Sequence, residues 1–243
     1  MNIFIDIERI PAQRPDVLAE IRAEKQSELD ASIAAIKPPG THKKPETIAG
    51  WMNEEAPKIK QSLLDAFEST VDAEYRKTSF DGAYGQICVI GWALDDEPAQ
   101  TVYGPDEQTI LKGFAHLLGN FNTFESCVIG HNVAAFDLRF LAQRHIVNGI
   151  KPHPAISRAA SAKPWESEKV FDTMVQWAGV GNRVKLDKLC KALGIKSPKG
   201  DIDGSKVWDY VQAGKLDEVA EYCAKDVEAT REVFYRMTYR KAA

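Results

Sequence analysis

No stretch of this 243-residue chain approaches the roughly 20 consecutive apolar residues that a membrane-spanning helix requires. Its first ten residues, MNIFIDIERI, carry acids inside the apolar run and no basic segment ahead of it, so a secretion signal is not expected. Cysteine is scarce. Cys88, Cys127, Cys190 and Cys223 lie far apart with no CxxC pair, which excludes a legible zinc site and suits reduced thiols in a cytoplasmic protein. No internal repeat or low-complexity tract is found. An excess of positive charge is also missing: 31 Lys and Arg face 35 Asp and Glu. That balance argues against a protein that coats duplex nucleic acid by charge alone.

What is present is an ordinary globular composition, 44% apolar and 27% charged, sufficient for one large domain or a domain with a sizeable insertion. The charge is unevenly spread. Residues 81–150 hold 3 Lys and Arg against 8 Asp and Glu, whereas residues 151–200 hold 10 against 4. The basic segment (Lys151, Arg158, Lys163, Lys169, Arg183, Lys185, Lys188, Lys191, Lys196, Lys199) suits either a solvated face or a rim that follows a phosphate backbone.

Periodicity predicts strands at Asn2–Ile7, Gln86–Leu94, Gln100–Tyr103, Ser126–Gly130 and Val170–Thr173. Helical spacing predicts Asp106–Leu118, Ala135–Ile146, two helical stretches after Val184 (KLDKLCKALGI and KVWDYVQ), and a last helix at about Leu216–Met237. An α/β domain with a mixed sheet is the expected class. Residues 11–80 interrupt it, separating the first two strands far beyond a normal connection. Val17, Leu18, Ile21, Leu29, Ile33 and Ile36 suit one helix there, and Ile59, Leu63, Phe67 and Val71 another, broken between by KPPGTHKKP. This is expected to be a helical insertion subdomain in a single domain spanning 1–243, whose core is 1–10 and 81–243. Because the insertion leaves directly after Glu8, it is expected to form a cover beside that residue, with Lys37, Lys43 and Lys44 guiding a strand. An oligomerisation or stabilising element is the other reading.

Three segments carry chemistry. Asp6 and Glu8, two apart on a strand, project from one face, where two desolvated carboxylates repel unless a hard divalent cation takes their oxygens. A strand end with two solvated acids has the same pattern. GHNVAAFDLRFL (130–141) ends a strand and places Asp137 in the first turn of an apolar-faced helix, a position that also suits an acid through the helix dipole. Asn132 there could be a cap or turn former, and Phe136 could be core. In YCAKDVEATREVF (222–234), Tyr222 and Asp226 share a helix face beside an apolar stripe of Val219, Cys223, Val227, Thr230 and Phe234. His131 is expected to be structural or solvent-facing.

Taken together, DxE on the first strand, GHNxxxFD opening a middle helix and YxxxD in the last helix resemble the DnaQ-like 3′–5′ exonucleases of the DEDD group. The tyrosine marks the DEDDy branch; the histidine branch would need a histidine five residues before Asp226, where Glu221 stands. Within the group, the segments look most like stand-alone nucleases related to the proofreading domain of family-B DNA polymerases. The resemblance covers 1–8 and about 85–237. It implies a ribonuclease-H-like mixed sheet flanked by helices, and two bound divalent ions, Mg²⁺ or Mn²⁺. Asp6, Glu8 and Asp226 would hold the first ion. Asp6 and Asp137 would hold the second, the latter directly or through water. Tyr222 would orient the attacking water, and Asn132 and Phe136 would line the groove for the terminal nucleotides.

The expected activity is 3′–5′ hydrolysis of single-stranded DNA to nucleoside 5′-monophosphates. An exoribonuclease selecting the 2′-hydroxyl is the near alternative. A nucleic-acid-binding scaffold with a nuclease-like fold is the alternative from another class, and the presence of all four acids and the tyrosine counts against it. Single-stranded nucleic acid, DNA ahead of RNA, is the expected partner, with no membrane; a polymerase partner is not specified by the sequence.

Overall fold

The computed structural model describes residues 1–119, 125–163, 165–198, 200 and 202–240. At its centre is a five-stranded mixed sheet in the order β3-β2-β1-β4-β5. Here β1 is Asn2–Ile10, β2 Gln86–Leu94, β3 Gln100–Tyr103, β4 Cys127–Gly130 and β5 Val170–Asp172. β1 pairs antiparallel with β2 and parallel with β4, β2 pairs antiparallel with β3, and β4 parallel with β5. Helices cover both faces. On one, Ile3, Ile5 and Ile7 of β1 and Ile87, Ile90 and Trp92 of β2 pack with Ile110, Leu111, Phe114 and Leu118 of α3 (Glu107–Leu118). The same core takes Leu138, Phe140 and Leu141 of α4 (Asp137–Val147) and Ile156 of α5 (Pro154–Ala160). On the other face Phe4, Val89, Ala93 and Ile129 meet the apolar stripe of α9 (Leu216–Met237), including Val219, Cys223, Val227 and Phe234. The short helices α6 (Thr173–Ala178), α7 (Leu186–Leu193) and α8 (Val207–Gln212) complete this side. The two-residue period of β1 thus feeds two separate cores, and the expected mixed α/β class is observed.

β1 runs three residues beyond the expected Ile7. Glu8, Arg9 and Ile10 continue the ladder with β2 across a bulge between Glu8 and Arg9. The extra length matters because β4 stops pairing at Phe4 opposite Ile129, so the end of β1 projects past its parallel neighbour. α4 starts at Asp137 rather than Ala135, because Asn132 adopts φ +63° and residues 131–136 form a turn. Asparagine is among the few side chains that tolerate the left-handed region.

Residues 11–80 contain two long helices packed on each other, α1 (Pro15–Ala34) and α2 (Pro45–Lys77), then a 3₁₀ turn at Thr78–Phe80. Each long helix opens with proline at its first turn, where the missing N–H costs nothing. Ile36 falls outside α1, which ends before the KPPG break. A bidentate pair of Arg22 with Glu68, 2.7 Å on each arm, links the two helices. The ends of the segment are tied: Ala12 N–H donates to Thr78 Oγ1 at 2.9 Å, and the Tyr75 hydroxyl donates to the Ala12 carbonyl at 2.7 Å. Arg76 bonds Asp209 at 2.7 Å and the Tyr75 ring sits edge-on to Trp208, fastening the neck to α8.

Lys37, Lys43 and Lys44 stand between α1 and α2, at the tip of this hairpin. A 20-residue helix rises roughly 30 Å, so these lysines lie about that far along α1 from its base. The hairpin's base, not its tip, reaches the end of β1. No helix among the described residues is long and apolar enough to cross a membrane.

Candidate active site

Four acids converge where β1 outruns β4. Asp6 and Glu8 leave the same face of β1, opposite Gly91 and Val89 of β2. The glycine opposite Asp6 is what lets α9 approach. A Cβ at Gly91 would lie 2.8 Å from Cys223 Sγ and 3.0 Å from Val227 Cγ2. With that space open, α9 lies against the strand, and the Cys223 thiol faces Asp6 Oδ2 at 3.4 Å and the Asp6 carbonyl at 3.6 Å. Tyr222 and Asp226 come with it, the phenol hydroxyl donating to the Asp226 carboxylate. Asp137 arrives from the opposite side of the sheet. Its Oδ1 accepts the Ile7 N–H at 3.3 Å, a backbone donor left free because β4 has already ended.

The electrostatics show that these carboxylates are poorly compensated by the protein. Burial raises the Asp6 carboxyl well above its ordinary value, reinforced by Glu8, Asp137 and Asp226, while the Cys223 thiol opposes. Burial pushes Glu8 to about 8, and Asp226 and Asp137 add to it against the pull of Arg9. Asp137 is pushed to about 7 by burial, again against Arg9. Burial and the charges of Asp226, Glu8 and Asp6 also push the Tyr222 phenol up, so it stays protonated and serves as a hydroxyl donor. The donor set is mostly carboxylate oxygen, which suits hard divalent cations. Asp6, Glu8 and Cys223 place their ligand atoms within 4.8 Å of one another, near enough to share one ion.

A turn next to the acids is built by a residue that sequence reasoning missed. Asp172, at the end of β5, accepts the N–H groups of Asn132 and Ala134 at 3.0 Å each, together with those of Met174 and Val175 at the start of α6. One carboxylate therefore caps α6 and holds the 131–136 turn that launches α4 at Asp137. The FDT sequence after a strand carries the N-cap signal, but its bonds to a turn 40 residues earlier leave no local trace. His131 is structural, as expected: Nδ1 meets Thr173 Oγ1 at 2.9 Å and Nε2 the Val184 carbonyl at 2.8 Å, and burial lowers its pKa.

Asn132 lines a cavity of about 330 Å³ floored by Ala134, Ala135, Ala159 and Ala162, with Lys163 and Arg183 also in its wall. Phe136 is half-buried, and the Arg9 guanidinium covers one of its faces at 4.0 Å from the ring centre. Arg9 is the second residue missed; only its place beside Glu8 could have drawn notice. The basic segment divides. Lys163 and Arg183 border the cavity, and Lys185 borders a cleft of about 460 Å³ shared with Tyr222 and Asp226. Lys169 and Lys191 are taken up in local pairs with Glu166 and Asp187, and Arg158 donates to the Ser126 carbonyl at 2.9 Å. Lys199 lies outside the described residues.

Comparison with known proteins agrees with this fold. Over 148 residues, 51% of this chain, it is 23% identical to a putative DNA polymerase of Frog virus 3 (isolate Goorha), of which it covers 14%. The family B DNA polymerase from the hyperthermophilic archaeon Pyrobaculum calidifontis superposes with a TM-score of 0.51 at 18% identity, over 64% of this chain and 22% of that one. The chain thus spans less than a quarter of either protein. Residues 85–243, carrying β2 to α9, match the model of a family described as predicted 3′–5′ exonucleases related to the exonuclease domain of PolB, and the chain belongs to that family.

Proposed function

We propose that this protein is a metal-dependent 3′–5′ exonuclease that acts on single-stranded DNA and releases nucleoside 5′-monophosphates. One observation carries the reading: four carboxylates and a phenol, drawn from β1, α4 and α9, meet at a strand end, where burial resists the charge of Asp6, Glu8 and Asp137. Such a cluster is stable in its ionised form only with cations, and divalent ions are what phosphodiester hydrolysis needs. Asp6, Glu8 and Asp226 would hold one Mg²⁺ or Mn²⁺, and Asp6 with Asp137 a second. Bound there, the pair supplies an activated water and stabilisation of the departing 3′ oxygen.

The chain's own residues do the positioning. Tyr222 keeps its proton and aims a water by hydrogen bonding, because a phenol raised above its usual pKa cannot act as a general base near neutrality. Asp137 is fixed by the Ile7 amide, and Asp172 fixes the turn ahead of it. Asn132 and the exposed part of Phe136 line the path of the terminal nucleotides. The alanine-floored cavity with Lys163 and Arg183 offers apolar surface for a base beside cations for its phosphates. A chain acidic overall then binds a polyanion through its ions and this local rim.

The test is a single-stranded DNA oligonucleotide labelled at its 5′ end, with Mg²⁺, Mn²⁺ or EDTA, beside RNA of the same sequence and the Asp6→Ala protein. A metal-dependent ladder shortening from the 3′ end, absent in the variant, is expected. Binding without shortening would refute the catalytic reading.

A further inference from the structure

Arg9 follows Glu8 directly, so its side chain leaves the opposite face of β1, the face of Ile5 and Ile7, where Phe140 also packs. Its guanidinium lies among three aromatic rings from three places in the chain. It is 4.0 Å from the centre of Phe136, 5.3 Å from Phe80 and 5.7 Å from Phe140. Phe136 is in turn 6.3 Å, centre to centre, from both Phe80 and Phe140. Phe140 is core, Phe136 belongs to the turn before α4, and Phe80 ends the insertion.

Stacking on rings satisfies the faces of a guanidinium and leaves its in-plane N–H groups to be used. Here Nε and Nη1 are buried and have no hydrogen-bond partner among the described residues. Charged donors without acceptors are costly, and a fold that keeps them beside reactive groups invites a missing partner. The neighbouring acids do not fill that role. Arg9 influences Glu8 and Asp137 electrostatically, yet no ion pair joins it to either among the described residues. The rings hold the cation close to the carboxylates without letting it be neutralised by one of them. A planar fork fixed in this way matches the paired oxygens of a phosphodiester.

Resting on the exonuclease reading above, we propose that Arg9 is a phosphate-binding residue of this site, taking a non-bridging oxygen of the substrate strand with the N–H groups that its aromatic clamp leaves unpaired. Phe80 then gives the insertion a part in substrate binding: its base supplies one wall of the clamp.

The experiment measures equilibrium binding of a fluorescein-labelled single-stranded oligonucleotide to the Asp6→Ala protein, with and without Arg9→Met and Arg9→Lys, across a series of salt concentrations. For a single strand, each phosphate contact contributes about 0.7 to the slope of log affinity against log salt. Arg9→Met is expected to weaken binding roughly tenfold and lower that slope by about 0.7, as loss of one phosphate contact requires. Arg9→Lys, which keeps the charge but not the planar fork, should retain the slope and lose affinity. Oligonucleotides carrying a neutral methylphosphonate at one of the last linkages supply a second readout. One of them should bind the Arg9 protein more weakly and the Arg9→Met protein no differently.

Unchanged affinity and slope in both variants, with only a lower melting temperature, would make Arg9 a structural residue and overturn the assignment. Should Arg9→Met not fold, Arg9→Lys and the methylphosphonate series on the Arg9 protein decide, and equal binding of every probe would overturn it. A protein with Arg9 intact that binds no oligonucleotide would remove the exonuclease reading as well, whereas a wild-type ladder with salt-insensitive Arg9 variants would remove the Arg9 assignment alone.

Discussion

Glu8 and Asp137 illustrate a conflict between stability and chemistry within single side chains. Both carboxyls are pushed up by burial, to about 8 and about 7. A group whose folded pKa exceeds its unfolded value binds more protons folded than unfolded, so stability falls as pH rises between the two values. In EDTA the melting temperature is therefore expected to fall from about pH 5 to pH 8 and level off above it. Mg²⁺ or Mn²⁺ should restore it, most at the alkaline end where all the acids are charged. Calorimetry across that range checks both halves; a metal-free melting temperature that rises with pH would contradict the burial of these acids. The same logic predicts that Asp6→Ala and Asp226→Ala abolish hydrolysis while not lowering metal-free stability, and that Tyr222→Phe, which loses only the aiming hydroxyl, leaves a slow residual rate. Labelled-oligonucleotide turnover and thermal melts on the three proteins measure this, and wild-type turnover in Asp226→Ala would reject the site.

Asp6, Glu8, Asp137, Tyr222 and Asp226 were legible as a set only through the resemblance that their three segments carry together, since each segment alone also suits a solvated strand end, a helix first turn or an amphipathic face. Asp172 and Arg9 were invisible for physical reasons. The first acts on backbone amides 38 and 40 residues away, and the second meets Phe80, Phe136 and Phe140, rings that lie far along the chain. Cys223 was legible as part of an apolar stripe and not as a neighbour of Asp6, because that contact depends on how closely α9 approaches.

Between elements, two close approaches decide whether the acids meet. Gly91 lets α9 lie on β1 and β2, and alanine there would meet Cys223 Sγ and Val227 at 2.8 and 3.0 Å. Gly91→Ala is expected to cost about 1–3 kcal/mol as overpacking, read from urea unfolding. It should lower turnover further than the lost stability accounts for, since Tyr222 and Asp226 move with the helix. The other contact joins α3 to α4. Arg144 makes a bidentate pair with Glu107 at 2.8 and 2.7 Å, both side chains being about 95% buried, and Glu107 also accepts the Ile87 N–H. Glu107→Ala would strand a buried guanidinium and is expected to cost about 3–5 kcal/mol; a loss below 1 kcal/mol in chemical unfolding would show that water replaces the partner. The five strands and most helices were legible from periodicity, but the short α5 and α6 were not, and the boundaries that matter for function shifted. β1 gained three residues, and α4 lost two to the Asn132 turn.

For the whole molecule, the insertion is the part that periodicity located but could not orient. Val17, Leu29 and Val71 are buried as helical spacing suggests, whereas the place of Lys37, Lys43 and Lys44 follows from helix length and direction, which no window of sequence contains. Because the neck is closed by Ala12, Tyr75 and Thr78, replacing residues 15–74 with a short glycine–serine link is expected to leave the fold and hydrolysis of short oligonucleotides intact, since Phe80 and Arg9 remain. Circular dichroism and the labelled-strand assay check this, and loss of turnover in a folded variant would show that the hairpin itself takes part.

The sheet order also bears on biosynthesis. β1 is made first and lies at the middle of the sheet, but the helix that presses on Asp6 extends from residue 216 to 237. A ribosome that has released the first two hundred residues has made Asp6, Glu8 and Asp137 without their partners Tyr222 and Asp226. On the exonuclease reading proposed above, the nascent chain stays harmless to nucleic acid until residues 216–237 emerge. On that reading, a fragment truncated before that point lacks Tyr222 and Asp226, so incomplete synthesis would yield an inert product rather than an unregulated one.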